Sequence, residues 1–123
     1  MEQSEFYREV RHRAACLQVS VNRRALKRWC DSPEHGRQLR EIYRGTVPFM
    51  LPPEEGRDQI WRREAWAYLE QEYPEALKQL LSLAGIGVLK RQAARGDLYA
   101  GAVLHSLLKG WLQEYDGPGC RDY

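Results

Sequence analysis

The chain has 123 residues, of which 43% are hydrophobic and 29% are charged, and its net charge is only +2. These values fit one globular domain and exclude the hydrophobe-poor, strongly charged composition of a disordered protein. No apolar run approaches the roughly eighteen residues of a membrane span, so we expect no membrane association. We therefore predict a single domain over residues 1–123.

The start of the chain and its cysteines indicate a cytoplasmic protein. Residues 1–5 are acidic, whereas a signal peptide begins with basic residues that lead into an apolar stretch. Cys16, Cys30 and Cys120 are odd in number and widely spaced, which fits neither a disulfide framework nor a CxxC metal clamp. We expect reduced thiols in a cytoplasmic environment.

The small net charge hides an uneven distribution along the chain. Residues 8–44 contain ten Lys and Arg against four Asp and Glu, whereas residues 45–123 contain nine bases against eleven acids. Such a distribution can present one electropositive face to a polyanion without making the whole protein cationic.

The basic part of the chain, residues 5–45, is predicted to form three helices. Apolar or small residues from Phe6 to Leu17 recur at helical spacing and predict a first helix over residues 5–18. Either Ser20 or Asn22 is placed to cap a second helix that ends near Cys30. A third helix begins at residue 33, with Ser32 as N-cap and Pro33 in the first turn, and stops at residue 45.

Residues 46–53 (TVPFMLPP) contain three prolines and are predicted to interrupt the helical pattern. The segment is too apolar for a loop that is fully exposed to water, because it contains Phe49, Met50 and Leu51. We expect it to cross the surface of the core and dock there.

Residues 54–116 are predicted to form the C-terminal helices, and residues 117–123 a short tail. A long fourth helix spans residues 53–73, and shorter patterns follow over residues 74–84, 88–95 and 98–115. The predicted apolar stripe of the fourth helix comprises Ile60, Trp61, Ala65, Tyr68 and Leu69. No alternating β-branched pattern appears, so we predict an all-α, single-domain compact bundle of five to seven helices.

The most informative segment is the second helix, where Arg23, Arg24, Lys27 and Arg28 share one helical face. Ala25, Leu26, Trp29 and Cys30 occupy the opposite side, so the helix can bury one edge and expose the other. We call these four cations the basic ridge. Like charges at this spacing repel one another by a few tenths of a kcal/mol, and binding to phosphates would offset that repulsion.

Two interpretations of the basic ridge remain open. One is a solvated surface that forms salt bridges with acids of other helices, which is the usual role of a charged run. The other is a contact with the nucleic-acid backbone, which positions the polymer without reading its sequence. For the second interpretation, the charge distribution adds Arg8, Arg11, Arg40 and Arg44 as candidate binding residues.

Most aromatic residues are of the types whose rings carry a polar atom, since the chain has seven Tyr and four Trp against two Phe. We expect most of them to fill the core while their polar atoms reach water. Base stacking and a protein interface are the alternatives for the remainder.

The sequence offers no constellation typical of catalysis. His12, His35 and His105 are far apart and match no metal-binding spacing, so we predict neither a metal nor a cofactor. Gly85 and Gly87 lack the preceding strand and the GK[ST] ending of a phosphate loop, and indicate a helix break instead. We therefore expect a non-enzyme.

In the order of these features the chain resembles the small helical subunit of CRISPR Cascade-type effector complexes. The similar stretches are residues 23–28 (RRALKR), the break at Ser32 and Pro33, residues 39–48 (LREIYRGTVP), and residues 65–69 (AWAYL). Residues 98–111 also look like the hydrophobic helix near that family's C-terminus. The chain is shorter than the type I-E subunit, and its tail lacks a basic ending.

The resemblance implies a non-catalytic subunit that packs along a guide-RNA complex, often in more than one copy. Its partners would be nucleic acid, as the displaced single DNA strand or the RNA–DNA duplex, together with other protein subunits and copies of itself. The basic ridge is the part of this chain to which the family's nucleic-acid contacts can be transferred. The alternative is a small phage- or plasmid-encoded regulator that inhibits a partner protein by docking, through its Trp and Tyr residues and residues 49–51.

Overall fold

Apolar residues at helical spacing form seven α-helices and no strand within residues 3–53 and 58–115, which the computed structural model describes. The helices are α1 (Gln3–Gln18), α2 (Arg23–Cys30), α3 (Pro33–Thr46), α4 (Asp58–Glu72), α5 (Pro74–Leu83), α6 (Val88–Ala94) and α7 (Ala100–Tyr115). The prediction of an all-α, single-domain bundle is confirmed. The predicted tail at residues 117–123, with Cys120, and the start predicted for the fourth helix at residues 54–57 lie outside the described residues.

Helix α7 is the central element, because apolar residues cover most of its circumference. Helices α1, α3 and α6 pack against it, as does a 3-10 turn at Val47–Met50. Its buried side chains are Ala100, Ala102, Val103, Leu104, His105, Leu107, Leu108, Trp111 and Leu112. The other helices each contribute one apolar face to this core.

The N-terminal helices largely follow the predicted pattern. Phe6, Val10 and Ala14 of α1 are buried as expected. Asn22 is the residue that caps α2, since its Oδ1 accepts a hydrogen bond from the amide of Ala25 at 3.1 Å. Ser32 occupies the N-cap position of α3 without making the predicted side-chain cap bond.

The proline-containing segment continues α3 instead of ending it at residue 45. The helix runs on to Thr46 and then tightens into the 3-10 turn Val47–Met50, whose first turn accommodates Pro48. Phe49 is buried, Met50 is half-buried and Leu51 is exposed, so the segment docks on the core through Phe49.

The predicted apolar stripe of α4 is confirmed for Leu69, which is buried, and for Ala65, which packs against the core, but it is wrong for the other members. Ile60 and Tyr68 are 65% and 57% exposed, whereas Arg62 and Trp66 are buried. Arg62 lies inside because its guanidinium donates hydrogen bonds to the carbonyl oxygens of Phe49 and Leu51 at the end of the 3-10 turn. Carbonyls at a helix end lack intrahelical donors, and a buried arginine supplies them here.

Helix α5 lies beside α2 and joins α6 through a glycine turn. Trp29 Nε1 of α2 donates to Gln79 Oε1 of α5 at 3.0 Å. Gly85 has a φ of +70° at the α5–α6 turn, and a Cβ there would lie 3.3 Å from the carbonyl oxygen of Ser20. The turn before α2 therefore contacts the turn after α5, and the two helices run in opposite directions.

Within the described ranges, no helix combines the length and the hydrophobicity that crossing a bilayer requires.

Candidate nucleic-acid interface

The basic ridge lies on the solvent side of α2, because the opposite side of that helix is anchored in the core. Leu26 is fully buried and Trp29 is 9% exposed, while Arg23, Arg24, Lys27 and Arg28 are all exposed. The sequence-based division of α2 into a buried and a charged side is confirmed.

Few carboxylates of the described chain approach the basic ridge. Arg23 Nη1 lies 3.9 Å from Glu114 Oε1, and both side chains are about half exposed. Asp31 follows Lys27 by four residues, yet no described carboxylate lies within 4.0 Å of Arg24, Lys27 or Arg28. Among the described contacts, only that of Arg23 therefore supports the interpretation of a solvated surface with salt bridges to acids of other helices.

Several contacts fix the orientation of α2. The Trp29 ring stacks on His35 with a centroid distance of 4.4 Å and an angle of 9° between the planes. The His35 Nδ1 atom also lies 3.1 Å from the carbonyl oxygen of Trp29. Together with the Trp29–Gln79 bond, these contacts hold α2 against α3 and α5, so the basic ridge is presented on a packed helix.

Arg8 and Arg11 are exposed on the side of α1 that leads towards the basic ridge. Ala15 of α1 and Arg23 line the same shallow surface depression. Arg11 precedes Ala15 by one helical turn, about 6 Å along the axis, and Arg8 lies nearly one turn farther away. These two arginines extend the positive surface from the N-terminal end of the basic ridge.

Arg40 and Arg44 occupy α3, near the C-terminal end of α2. Gly36 packs near the carbonyl oxygen of Cys30, and the Arg40 Nη1 atom lies 3.6 Å from the position of a Cβ on Gly36. Arg40 is half-buried and Arg44, one turn farther along α3, is exposed. Arg40 therefore lies near the C-terminal end of α2, and Arg44 lies one turn farther along α3.

A second cluster of basic residues was not predicted from the sequence. Lys78 of α5 and Lys90 and Arg91 of α6 line one groove, and all three are exposed. Residues 45–123 contain more acids than bases, so counting charges along the chain conceals this cluster. The only sequence signal is the position of these cations on both sides of the helix break at Gly85 and Gly87.

The aromatic residues divide between the core and the surface. Trp66 and Trp111 are buried, and Trp66 Nε1 donates to Glu70 Oε1 at 3.1 Å. Trp61 and Tyr68 are 38% and 57% exposed on α4, where Ile60 adds further apolar surface. Most described aromatic residues therefore lie in or against the core as expected, and Trp61 and Tyr68 belong to the remainder.

Of the three histidines, only His105 is buried. Its Nδ1 lies 3.0 Å from Thr46 Oγ1, whose hydroxyl donates to the Tyr43 carbonyl oxygen at 2.7 Å. Burial lowers the pKa of His105, and the charge of Lys109 lowers it further. Within the described residues, no three His, Cys, Asp or Glu side chains gather closely enough to hold a metal ion.

Comparison with family models, with curated proteins and with solved structures finds no match to this chain.

Proposed function

We propose that this chain binds the sugar-phosphate backbone of nucleic acid without reading its sequence, as a non-catalytic small subunit of a CRISPR ribonucleoprotein effector complex. The exposed basic ridge carries the proposal. Its four cations lie on a helix anchored by buried Leu26 and Trp29, and only Arg23 approaches a described carboxylate.

The dimensions of the basic ridge suit a phosphate backbone. Arg23 and Arg28 are five residues apart, which corresponds to about 7.5 Å along a helix axis. A duplex carries one negative charge per about 1.7 Å of its axis, so the same length contains about four phosphates. These are counted over both strands; one strand has a phosphate about every 3.4 Å, or about two in this length, and the long Arg and Lys side chains can reach neighbouring phosphates as well.

The assembly part of the proposal is supported by the sequence resemblance and by the distribution of charge. Candidate cations lie on all three N-terminal helices: Arg8 and Arg11 are exposed on α1, the basic ridge is exposed on α2, and Arg40 is half-buried on α3. The opposite half of the chain has excess acid and an exposed apolar surface on α4, which is available to other subunits or to further copies. The candidate contacts with nucleic acid and those with protein therefore lie on different helices.

Fluorescence anisotropy with labelled single-stranded DNA, duplex DNA and an RNA–DNA hybrid tests the proposal. We compare the wild type with a variant in which all four cations of the basic ridge are replaced by alanine, at about 50 and 200 mM salt. Wild-type affinity should fall steeply with salt and depend little on sequence. The variant should lose most of its affinity, and the slope of log affinity against log salt should decrease by about three to four for duplex DNA.

A control with the same change of net charge separates a local contact from general electrostatic attraction. Four exposed cations outside the basic ridge serve for this purpose: Arg37, Arg63, Arg95 and Lys109. Changing these four residues to alanine should leave most of the affinity intact. Equal losses in the two variants, or a wild-type affinity that does not respond to salt, would contradict the proposal.

The second candidate function is inhibition of a partner protein by docking, and the exposed apolar residues on α4 favour it. Ile60, Trp61 and Tyr68 lie on this helix, and Leu51 is 63% exposed at the end of the neighbouring 3-10 turn. Phe49 belongs to the core, so it cannot serve this function as predicted. A protein complex that persists in about 1 M salt and is lost in Ile60→Asp would favour docking over backbone binding.

A further inference from the structure

An open groove of about 620 Å³ lies between α5, α6 and the C-terminal end of α4. Its floor is formed by Leu77 and Leu81, and Pro74 forms one edge. Pockets for small organic ligands commonly measure about 300–1,000 Å³ and combine an apolar lining with a few polar groups. The size and the lining of this groove fit that description.

The rim of the groove is cationic. Lys78, Lys90 and Arg91 are exposed there, and Glu70 is the one carboxylate among the described lining residues. Lys90 Nζ lies 3.5 Å from Glu70 Oε1, the oxygen that also accepts the Trp66 Nε1 hydrogen bond. Glu70 is therefore shared between two donors, and the rim keeps an excess of positive charge.

Two of the rim cations are available for a ligand. No described carboxylate lies within 4.0 Å of Lys78 or Arg91, and the hydroxyl of Ser82 lines the groove one helical turn after Lys78. Lysine and arginine nitrogens form charge-assisted hydrogen bonds with phosphate oxygens, and a hydroxyl adds a neutral donor. These groups suit a phosphate at the rim.

We propose that this groove binds a nucleoside phosphate, with its phosphate on Lys78 and Arg91 and its sugar or base against Leu77, Leu81 and Pro74. The cationic rim binds the anionic phosphate of such a ligand, and the apolar floor packs against its less polar sugar or base. Inorganic phosphate alone would leave the floor exposed to water.

The nucleoside phosphate has two sources, a free nucleotide or one nucleotide unit of a strand held by the basic ridge. Gln79, which accepts the hydrogen bond from Trp29 of α2, directly follows Lys78 and is exposed like it. Helix α5 therefore carries the groove residue Lys78 next to a residue that contacts α2 on its Trp29 side. A strand could cross from α2 over α5 to α6, although the groove needs no part of the basic ridge to bind a nucleotide.

Isothermal titration calorimetry with adenosine monophosphate and with inorganic phosphate tests the groove directly. The variant is Lys78→Ala with Arg91→Ala, and the control with equal charge is Arg95→Ala with Lys109→Ala, since neither control residue lines the groove. We expect adenosine monophosphate to bind the wild type more tightly than inorganic phosphate does. The groove variant should lose about tenfold in affinity, and the control variant should retain it.

A labelled single-stranded oligonucleotide distinguishes the two sources. Weaker oligonucleotide binding by the groove variant than by its control would assign the groove to a unit of the strand, even if the mononucleotide binds weakly. Mononucleotide binding without any effect on the oligonucleotide would assign it to a free nucleotide. If the groove variant and its control behave alike with both ligands, the proposal is overturned.

The variant of the basic ridge separates this proposal from the proposed function. It should bind adenosine monophosphate as the wild type does, because its four substitutions lie outside the groove. If the wild type binds the mononucleotide but no DNA, the proposed backbone binding is contradicted and the proposed nucleotide site in the groove is supported. If DNA binding depends only on the basic ridge and the mononucleotide does not bind, the proposal for the groove is contradicted and the proposed function is not.

Discussion

The ring of Phe49 rests directly on Gly101, so that a Cβ atom added at Gly101 would overlap three of the ring carbons. This contact joins the 3-10 turn to the central helix α7. Because Phe49 is 1% exposed and also neighbours Trp66, its ring has little room to move aside. The glycine is therefore required by packing, not by backbone conformation.

We predict that Gly101→Ala destabilises the protein by about 1–3 kcal/mol, since an added methyl group in a packed core forces side chains from their positions. Urea unfolding followed by circular dichroism measures the change. Gly110 on the same helix is the control, because a Cβ there meets no atom within 4 Å. Gly110→Ala should stabilise the protein by up to about 1 kcal/mol, as alanine favours helix. Similar effects of both substitutions would contradict the packing argument.

The second prediction concerns the pH dependence of stability and rests on His105. Its pKa is lowered in the folded protein from the ordinary value of 6.5, chiefly by burial. The unfolded chain therefore takes up a proton at His105 before the folded protein does. The contribution of the neutral imidazole to stability is fully present above pH 6.5 and is lost as the pH falls through the lowered folded-state pKa.

Urea unfolding at a series of pH values around 6 checks this prediction, and His105→Gln should flatten the pH dependence of the unfolding free energy. His12→Gln is the control, since His12 is exposed on α1. The chemical shift of the His105 ring proton gives an independent titration. A midpoint at or above 6.5 would contradict the lowered pKa.

The fold could be predicted from the sequence where one helical face alone decides burial. The first helix was predicted over residues 5–18 and spans Gln3–Gln18, and the helix predicted over residues 88–95 spans Val88–Ala94. The charged and buried sides of α2 also follow directly from the spacing of its residues. In these elements, local periodicity and tertiary packing favour the same arrangement.

The inward face of α4 could not be predicted in this way, because a polar contact determines it. Apolar periodicity favours burial of Ile60 and Tyr68, but Arg62 turns inward to the carbonyl oxygens of Phe49 and Leu51. That contact joins the helix to a segment whose conformation the sequence did not reveal. The groove escaped prediction for a related reason, since Lys78 and Arg91 line one groove only because α5 and α6 both pack against α4.

The third prediction concerns Asp97, which performs two structural functions at the turn before α7. Its Oδ1 accepts a hydrogen bond from the Tyr99 amide, and its Oδ2 accepts one from Arg13 Nη1, each at 2.8 Å. Asp97→Asn keeps an acceptor for the amide and removes the ion pair, whereas Asp97→Ala removes both contacts. We expect a loss of up to about 1 kcal/mol for Asn and about 1–2 kcal/mol for Ala.

Thermal and urea unfolding of the two Asp97 variants measure these losses. Arg13→Gln should cost more than Asp97→Asn, because Arg13 also pairs with Glu9 and lies over the Tyr99 ring. Combining the two substitutions should cost less than the sum of the single effects, because both remove the Arg13–Asp97 ion pair. Fully additive effects would show that Arg13 and Asp97 stabilise the protein independently.

The last prediction concerns Glu114, the acid nearest to Arg23 in the described chain, with its Oε1 atom 3.9 Å from Arg23 Nη1. If the basic ridge binds phosphates, this carboxylate competes with them for Arg23 and repels the approaching backbone. Glu114→Gln should therefore tighten DNA binding about two- to fivefold at low salt, corresponding to the small energies of exposed ion pairs. Glu5→Gln is the control with the same charge change, because Glu5 lies in the first turn of α1. Anisotropy titrations at low and high salt should show the gain for Glu114→Gln alone and only at low salt. An equal gain in both variants would indicate that net charge, and not the position of Glu114 beside the basic ridge, controls the affinity.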